Sequence, residues 1–271
     1  MQPVKTDTER VLCTLTIGNT HASVVHWRKD GTADDCVKNS PADARSMRQL
    51  VSPLVKSPQP VVVASVVPRL KSLAISLLRK KRRGEVYVFR QNLAPGIEIV
   101  PEPPEKVGDD RIATALGALA VDSTVPWVVV DVGTALTCNA VTPARGGKPP
   151  RFEGGLIVPG AAMSLRAMAQ NTAQLPQLDA EAGEPGDFNF IGRSTEQAMR
   201  WGVAVAQVAA LLAMVEGQKH TLGPATRVAV TGGGATAIKD AMKFAAPAPV
   251  DFLFHPQLAH LGLFSAWKAR K

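Results

Sequence analysis

The sequence predicts an α/β protein built from a repeated unit, on three observations. Short β-branched apolar runs alternate with Ala- and Leu-rich stretches of helical length, the pattern of sheets covered by helices. A strand that runs into a glycine turn and returns as a strand opens the chain at Thr16-Ile17-Gly18-Asn19-Thr20 and recurs at Asp131-Val132-Gly133-Thr134. The glycines at 232–234 stand between a strand-like run and a helical one. The recurrence places a boundary near residue 122, giving domains over 1–122 and 123–271.

Residues 11–27 read as a strand, a Gly-Asn turn and a returning strand, a β-hairpin. The run Val61–Val67 predicts another strand, 71–81 a helix, and Val86–Phe89 one more short strand. Pro101-Glu102-Pro103-Pro104 interrupts regular structure, because proline fixes φ and brings no N–H donor. Arg111–Val121 predicts a buried helix whose first turn carries Asp110 and Arg111. From residue 125 the order restarts: a strand over 125–131, a turn at 132–134, a strand over 135–141, a Gly/Lys/Pro loop at 144–150, and a strand over 152–158. A helix over 162–170 and a polar loop over 173–188 follow. Thr195–Val215 is the longest helical stretch and is apolar on most faces, so it needs cover on more than one side, as a subunit interface would give. Arg227–Thr231 is a strand, Ala235–Phe244 a helix opened by the glycine turn, and Leu258–Trp267 a closing helix.

With 45% apolar and 20% charged residues among 271, the chain has the composition of a core-forming protein. No stretch approaches 18 uncharged apolar residues, and the opening MQPVKTDTER is polar where a secretory leader is apolar; a cytoplasmic protein with no membrane partner is expected. Cys13, Cys36 and Cys138 form no metal-ligand spacing, and their odd number argues against a disulfide framework. The five histidines show no i, i+4 pairing, so a zinc-type site is not expected. A formal charge of +8 suits an acidic ligand such as a nucleotide. The basic run Arg79–Arg83 reads as the solvated C-terminal end of a helix, because no stacking aromatics interleave with it; nucleic acid is not the expected partner.

Phosphoryl transfer needs a group to take a proton, a group to hold a cation, and donors to hold phosphate oxygens. Gly108-Asp109-Asp110-Arg111 places a carboxylate beside a guanidinium at a helix start. Asp131 ends an apolar strand, where α/β proteins place their ligands. Either glycine turn alone would be an ordinary hairpin; as a pair, with the hydroxyls of Thr20 and Thr134, they suit a phosphate clamp. Neither a GxxxxGK[ST] loop nor a GxGxxG fingerprint is present.

These segments together resemble the type III pantothenate kinases of the acetate and sugar kinase/Hsp70/actin superfamily. The family's Asp-x-Gly-Asn-Thr is matched at Thr16–Thr20 except in its first position, Gly-x-Asp-Arg at Gly108–Arg111, and Asp-x-Gly-Thr-Ala at Asp131–Ala135. Gly154–Gly160, Thr172–Pro176, Ile191–Thr195 with Ala198, Met199 and Gly202, and Thr231–Gly233 agree in the same order. The resemblance implies two duplicated actin-like, ribonuclease H-like domains with a cleft between them. It implies ATP-dependent phosphorylation of pantothenate, the first step of coenzyme A biosynthesis, with Asp110 as general base. Gly108, Asp109, Asp110, Arg111 and Thr195 would bind pantothenate, the last across the interface of a homodimer. Thr16, Ile17, Gly18, Asn19, Thr20, His21, Ala22 and Ser23, with Gly133 and Thr134, would hold ATP. Asp131 would bind a monovalent cation, K+ or NH4+, and Mg2+ would accompany ATP.

Two positions depart from the family pattern. Thr16 stands where the family has an aspartate, keeping an oxygen and losing a charge, and Pro101 stands where it usually has a pocket tyrosine. The alternative these departures raise is a weakened or inactive homologue that binds nucleotide or pantothenate as a regulator.

Overall fold

The computed structural model describes residues 10–34, 38–81, 84–179, 190–245 and 251–270. They divide into two compact units. The first holds the residues up to Ser123, the segment Arg145–Pro150 and the C-terminal stretch from Gln257; the second holds Thr124–Ala144 and Arg151–Pro256.

In the first unit, β1 (Arg10–Ile17), β2 (His21–Arg28) and β3 (Lys38–Pro41) form an antiparallel meander. Helix α1 (Ala44–Lys56) leads to β4 (Val61–Ser65), which lies parallel to β1, and α2 (Pro68–Lys81) leads to β5 (Val86–Val88), parallel to β4. The sheet order is β3-β2-β1-β4-β5. After the two-residue β6 (Glu98–Ile99) and a 3-10 turn over Pro104–Lys106, α3 (Asp109–Val121) follows. The pleat sorts the side chains. Cys13, Leu15 and Ile17 of β1 share a fully buried cluster with Met47 and Leu50 of α1 and Leu78 of α2. Leu12, Thr14 and Thr16 alternate with them along β1, as Ser23 and Trp27 do on β2.

The second unit repeats this plan. Strands β7 (Trp127–Val132), β8 (Ala135–Thr142) and β9 (Arg151–Pro159) form an antiparallel meander. Helices α4 (Ala161–Asn171) and α5 (Thr195–Leu222) precede β10 (Arg227–Thr231), which is parallel to β7, and α6 (Ala235–Ala245) precedes β11 (Leu253–Phe254), parallel to β10. Five of the six strands of this sheet run in the order β9-β8-β7-β10-β11, which matches the first sheet strand for strand. Val208, Leu211 and Val215 of α5 pack with Val128, Val130 and Cys138 in its core. Burial pushes the Cys138 thiol up to about 12, so it is a core residue and not a nucleophile. The last helix, α7 (Leu258–Lys268), lies within the first unit against α3 and β1.

Four elements carry no expectation from the sequence: β3, α1, β6 and β11. Pro53 and two serines hide α1, yet Asp43 caps it by accepting from the Ser46 N–H at 2.8 Å, and Met47, Leu50, Val51 and Leu54 keep helical spacing. The proline stretch is less irregular than expected, since Pro104 opens the 3-10 turn at a position where its missing N–H costs nothing. Cys36, residues 82–83 of the basic run and residues 180–188 of the polar loop lie outside the described residues.

Candidate functional site

Strand β1 ends at Ile17, and the Gly18 N–H donates to the His21 carbonyl at 2.9 Å to close the hairpin. The glycine amide is consumed by the turn itself, so any anion contact there falls to hydroxyls and to the amides beyond it. Thr16 and Ser23 stand opposite each other across the β1–β2 ladder, with their hydroxyl oxygens 2.8 Å apart. Asn19, Thr20 and His21 are exposed at the tip, Ile17 and Ala22 are buried, and Gly18 is half-buried.

Gly108 precedes α3, and the Asp110 carboxylate folds back so that its Oδ1 accepts from the Arg111 N–H at 2.8 Å. A Cβ on Gly108 would lie 2.4 Å from that oxygen, so the glycine makes room for the carboxylate. Asp110 is exposed as a residue, yet desolvation is the largest influence on its carboxyl. Desolvation raises its pKa above the usual carboxylate range, against the opposing pull of the Arg111 N–H and guanidinium; the neighbouring Asp109 charge raises it further. Burial presses the Arg111 pKa down while Asp110 raises it.

Asp109 has a different environment. Its Oδ2 meets Lys71 Nζ at 3.1 Å and the Ser65 N–H at 3.5 Å, and its Oδ1 meets Arg90 Nη1 at 3.4 Å. Arg90, at φ +60°, also donates to the carbonyls of Val107 and Pro104, fastening the segment that leads into Gly108. The Asp109 carboxylate therefore anchors the loop from inside.

Ile17 pairs with Ser65 at the parallel β1–β4 edge, the Val66 N–H donates to the Ile17 carbonyl at 3.1 Å, and Val66 stands against Gly108. The end of β1 and the 108–111 segment thus both border Val66, at the carboxyl end of two parallel strands.

In the second unit, Asp131 sits near the end of β7 between Thr137 of β8 and Thr231 of β10. The Gly133 N–H donates to the Ala135 carbonyl at 3.1 Å, again closing a hairpin, and the Thr134 carbonyl accepts from the Gly160 N–H at 3.1 Å. Gly232, at φ +97°, leaves open a space where a Cβ would meet Asp131 Oδ1 and the Val132 carbonyl, each at 2.4 Å. That oxygen-lined cradle has the donor chemistry of a hard cation site. Among the described residues there is no group of three or more His, Cys, Asp or Glu side chains that could hold a metal ion. The Gly234 N–H is used by the Val132 carbonyl at 2.9 Å. Thr195 is the exposed first residue of α5, after a Ser194 cap that accepts from the Gln197 N–H at 3.2 Å.

The expected residues therefore gather in two sets: 16–23 with 108–111 in the first unit, and 131–134 with the 232–234 turn in the second. Thr195 lies in the second unit at the head of α5. Lys71 and Arg90 were not legible from the sequence, because each reaches Asp109 across a sequence gap that no spacing rule spans.

The family model for type III pantothenate kinase matches residues 12–217. The chain belongs to the type III pantothenate kinase family. A type III pantothenate kinase from Kosmotoga olearia is 34% identical over 182 residues, covering 66% of this chain and 64% of that protein. One from Hyphomonas neptunium is 32% identical over 214 residues, 79% of this chain and 78% of that protein. The match thus spans a little under two thirds of the Kosmotoga relative. The solved activator of the 2-hydroxyisocaproyl-CoA dehydratase from Clostridium difficile, with bound ADPNP, superposes with a TM-score of 0.53 at 14% identity, covering 96% of this chain and 95% of that one. That likeness concerns the fold alone, the duplicated actin-like architecture that the two matching sheets display.

Proposed function

We propose that this member of the family transfers the γ-phosphoryl group of ATP to the primary hydroxyl of pantothenate, the first step of coenzyme A biosynthesis. The observation that carries the reading is Asp110: a desolvated carboxylate of raised pKa, held by the Arg111 N–H, on a segment that borders Val66 as the end of β1 does. A base of raised pKa is a better proton acceptor for an alcohol. Asp110 takes the hydroxyl proton as the alcohol oxygen attacks, the bond to the γ-phosphorus forms, and ADP leaves. Arg111, with its planar fork, pairs with the pantothenate carboxylate or with phosphate, and Gly108 and Asp109 shape the segment that receives the acceptor. The hydroxyls of Thr20 and Thr134, and one of the paired hydroxyls of Thr16 and Ser23, donate to phosphate oxygens.

The oxygen cradle at Asp131 and Val132 suits a monovalent cation such as K+ or NH4+. When bound, such a cation offsets negative charge near the phosphates, while Mg2+ arrives with ATP as part of the substrate. Leu156 and Ile157 of β9, more than half exposed, and Met163 of α4 support a homodimer, with Thr195 serving the pantothenate site near that interface. Light scattering should then give twice the 28.7 kDa chain mass; a monomer at micromolar concentration would remove the dimer. Helix α5 is apolar and long enough to span a bilayer, yet its buried side forms the core of the second unit, which supports a core helix over a membrane span.

The test is a coupled assay of ADP release with ATP, Mg2+, K+ and pantothenate. Asp110→Asn should lower kcat by about 100-fold or more, the usual worth of a positioned general base, while calorimetric binding of both substrates persists. Full turnover by that variant would refute the assignment.

A further inference from the structure

His260 lies outside the residues matched by the family model, and none of the motifs includes it. It is 5% exposed, and α7 carries it to the back of the first turn. The seat of α7 is tight: a Cβ on Gly262 would lie 1.8 Å from the Ala113 carbonyl oxygen, and one on Gly117 would lie 2.1 Å from that of Leu258. Phe264 of the same helix stacks on Trp27 at 4.6 Å between ring centroids. The imidazole therefore has little freedom to turn.

Its hydrogen bonds form a chain from β2 to the turn. The Trp27 Nε1–H donates to Thr14 Oγ1 at 2.9 Å, and an indole can only donate. Thr14 has one hydroxyl proton to give, either to His260 Nδ1 at 2.8 Å or to the Val25 carbonyl at 3.4 Å. Assigning that proton to the shorter contact directs it to Nδ1, and the neutral ring then carries its own proton on Nε2. Nε2–H then donates to Ser23 Oγ at 2.8 Å, with Thr16 Oγ1 at 3.2 Å. Burial holds the His260 pKa down to about 3, so the ring stays neutral.

Ser23 and Thr16 bring two hydroxyl protons, and the 2.8 Å contact between them uses one. The network has no acceptor left for the other. With the opposite tautomer, Nε2 would accept one hydroxyl proton and the Ser23–Thr16 contact the second, leaving none. The surplus leaves where the network meets solvent: Thr14 is fully buried, whereas Thr16 and Ser23 are half-buried at the mouth of the turn.

We infer that His260 is a positioning residue which, through Ser23 and Thr16, holds one hydroxyl proton outward as a neutral donor to a phosphoryl oxygen. The ligand class follows from the sign of the group: a donor fits an anionic oxygen and repels a cation. At the place where the family pattern has a carboxylate, this chain thus grips the phosphate directly. The inference rests on the proposed ATP reading of the turn.

Steady-state kinetics of His260→Leu, Ser23→Ala, the double variant and His260→Gln test it, with urea unfolding of each. His260→Leu and Ser23→Ala should each raise KM for ATP about five- to tenfold, the worth of one neutral hydrogen bond, and leave KM for pantothenate unchanged. The double variant should match the single ones, because both break the same relay. His260→Gln, whose amide can donate to Ser23, should recover most of the affinity. If His260→Leu does not fold, Ser23→Ala carries the same prediction from a half-buried strand position. Unchanged KM for ATP, additive effects or equal losses for both substrates would overturn the relay. Absence of turnover and of ATP-analogue binding in the unsubstituted chain would instead overturn the ATP reading itself, and the relay with it.

Discussion

Asp109 and Asp110 are adjacent carboxylates in opposite environments. Asp109 is nine-tenths buried between Lys71 and Arg90. Asp109→Ala would strand two cations, at a cost of about 3 kcal/mol by the usual penalty for breaking a buried pair; urea unfolding reads it, and a loss below 1 kcal/mol would show that the pairs are not structural. Asp110 is desolvated, against the Arg111 N–H and guanidinium and its own N–H, which favour its charge. Since its folded pKa is raised, its contribution to stability is present at low pH and lost as pH rises through that pKa. Asp110→Asn should therefore be no less stable than the parent at neutral pH. The acid limb of kcat/KM should lie above the ordinary carboxylate range, because the base must be ionised to act. A limb at the value of a free carboxylate would contradict the desolvated site.

At the scale of elements, hairpins and helix starts place the chemistry. Each glycine turn spends its glycine amide on closing itself, which shifts the work of holding phosphate to side-chain hydroxyls. The α3–α7 crossing supplies the other requirement, since α3 carries Asp110 on its first turn and α7 carries His260 to the back of the turn. Gly262→Ala would press a methyl group into the Ala113 carbonyl and force the helices apart. Overpacking of this kind costs about 1–3 kcal/mol. It should lower Tm and raise KM for ATP together, by moving His260; a stable variant with normal kinetics would show that the crossing has slack.

For the molecule as a whole, the same strand order in both units puts a glycine turn at the same point of each sheet. Acid sensitivity is also a property of the folded whole, because His260 is buried only when α7 docks. The imidazole falls from an ordinary 6.5 to about 3 on folding. The unfolded chain therefore binds the extra proton between those values, and stability is lost as pH falls below about 6.5, by at most about 1.4 kcal/mol per pH unit from this group. The named neighbours of the ring, Thr14, Thr16 and Ser23, are uncharged. Urea midpoints at pH 7 and 5 should show the drop, and His260→Gln should flatten it; an equal slope in both would assign the acid sensitivity elsewhere.

The sequence by itself determined the α/β class, the repeat, both hairpins and the strands and helices that carry Thr16–Ser23, Gly108–Arg111, Asp131–Thr134 and Thr195. These are local signals, written in β-branched runs, glycine turns and Ala/Leu helices within a few residues of one another. It left α1 unread because Pro53 and its serines mask an amphipathic face that only the packing of Met47, Leu50 and Leu54 makes visible. Only the tertiary structure decided that Asp109 is an anchor, that Lys71 and Arg90 hold it, and that α7 returns to the first unit with His260 facing Thr16. The physical reason is range: Thr16 and His260 are 244 positions apart, and a hydrogen bond across that gap exists only once burial has brought α7 onto α3 and β1.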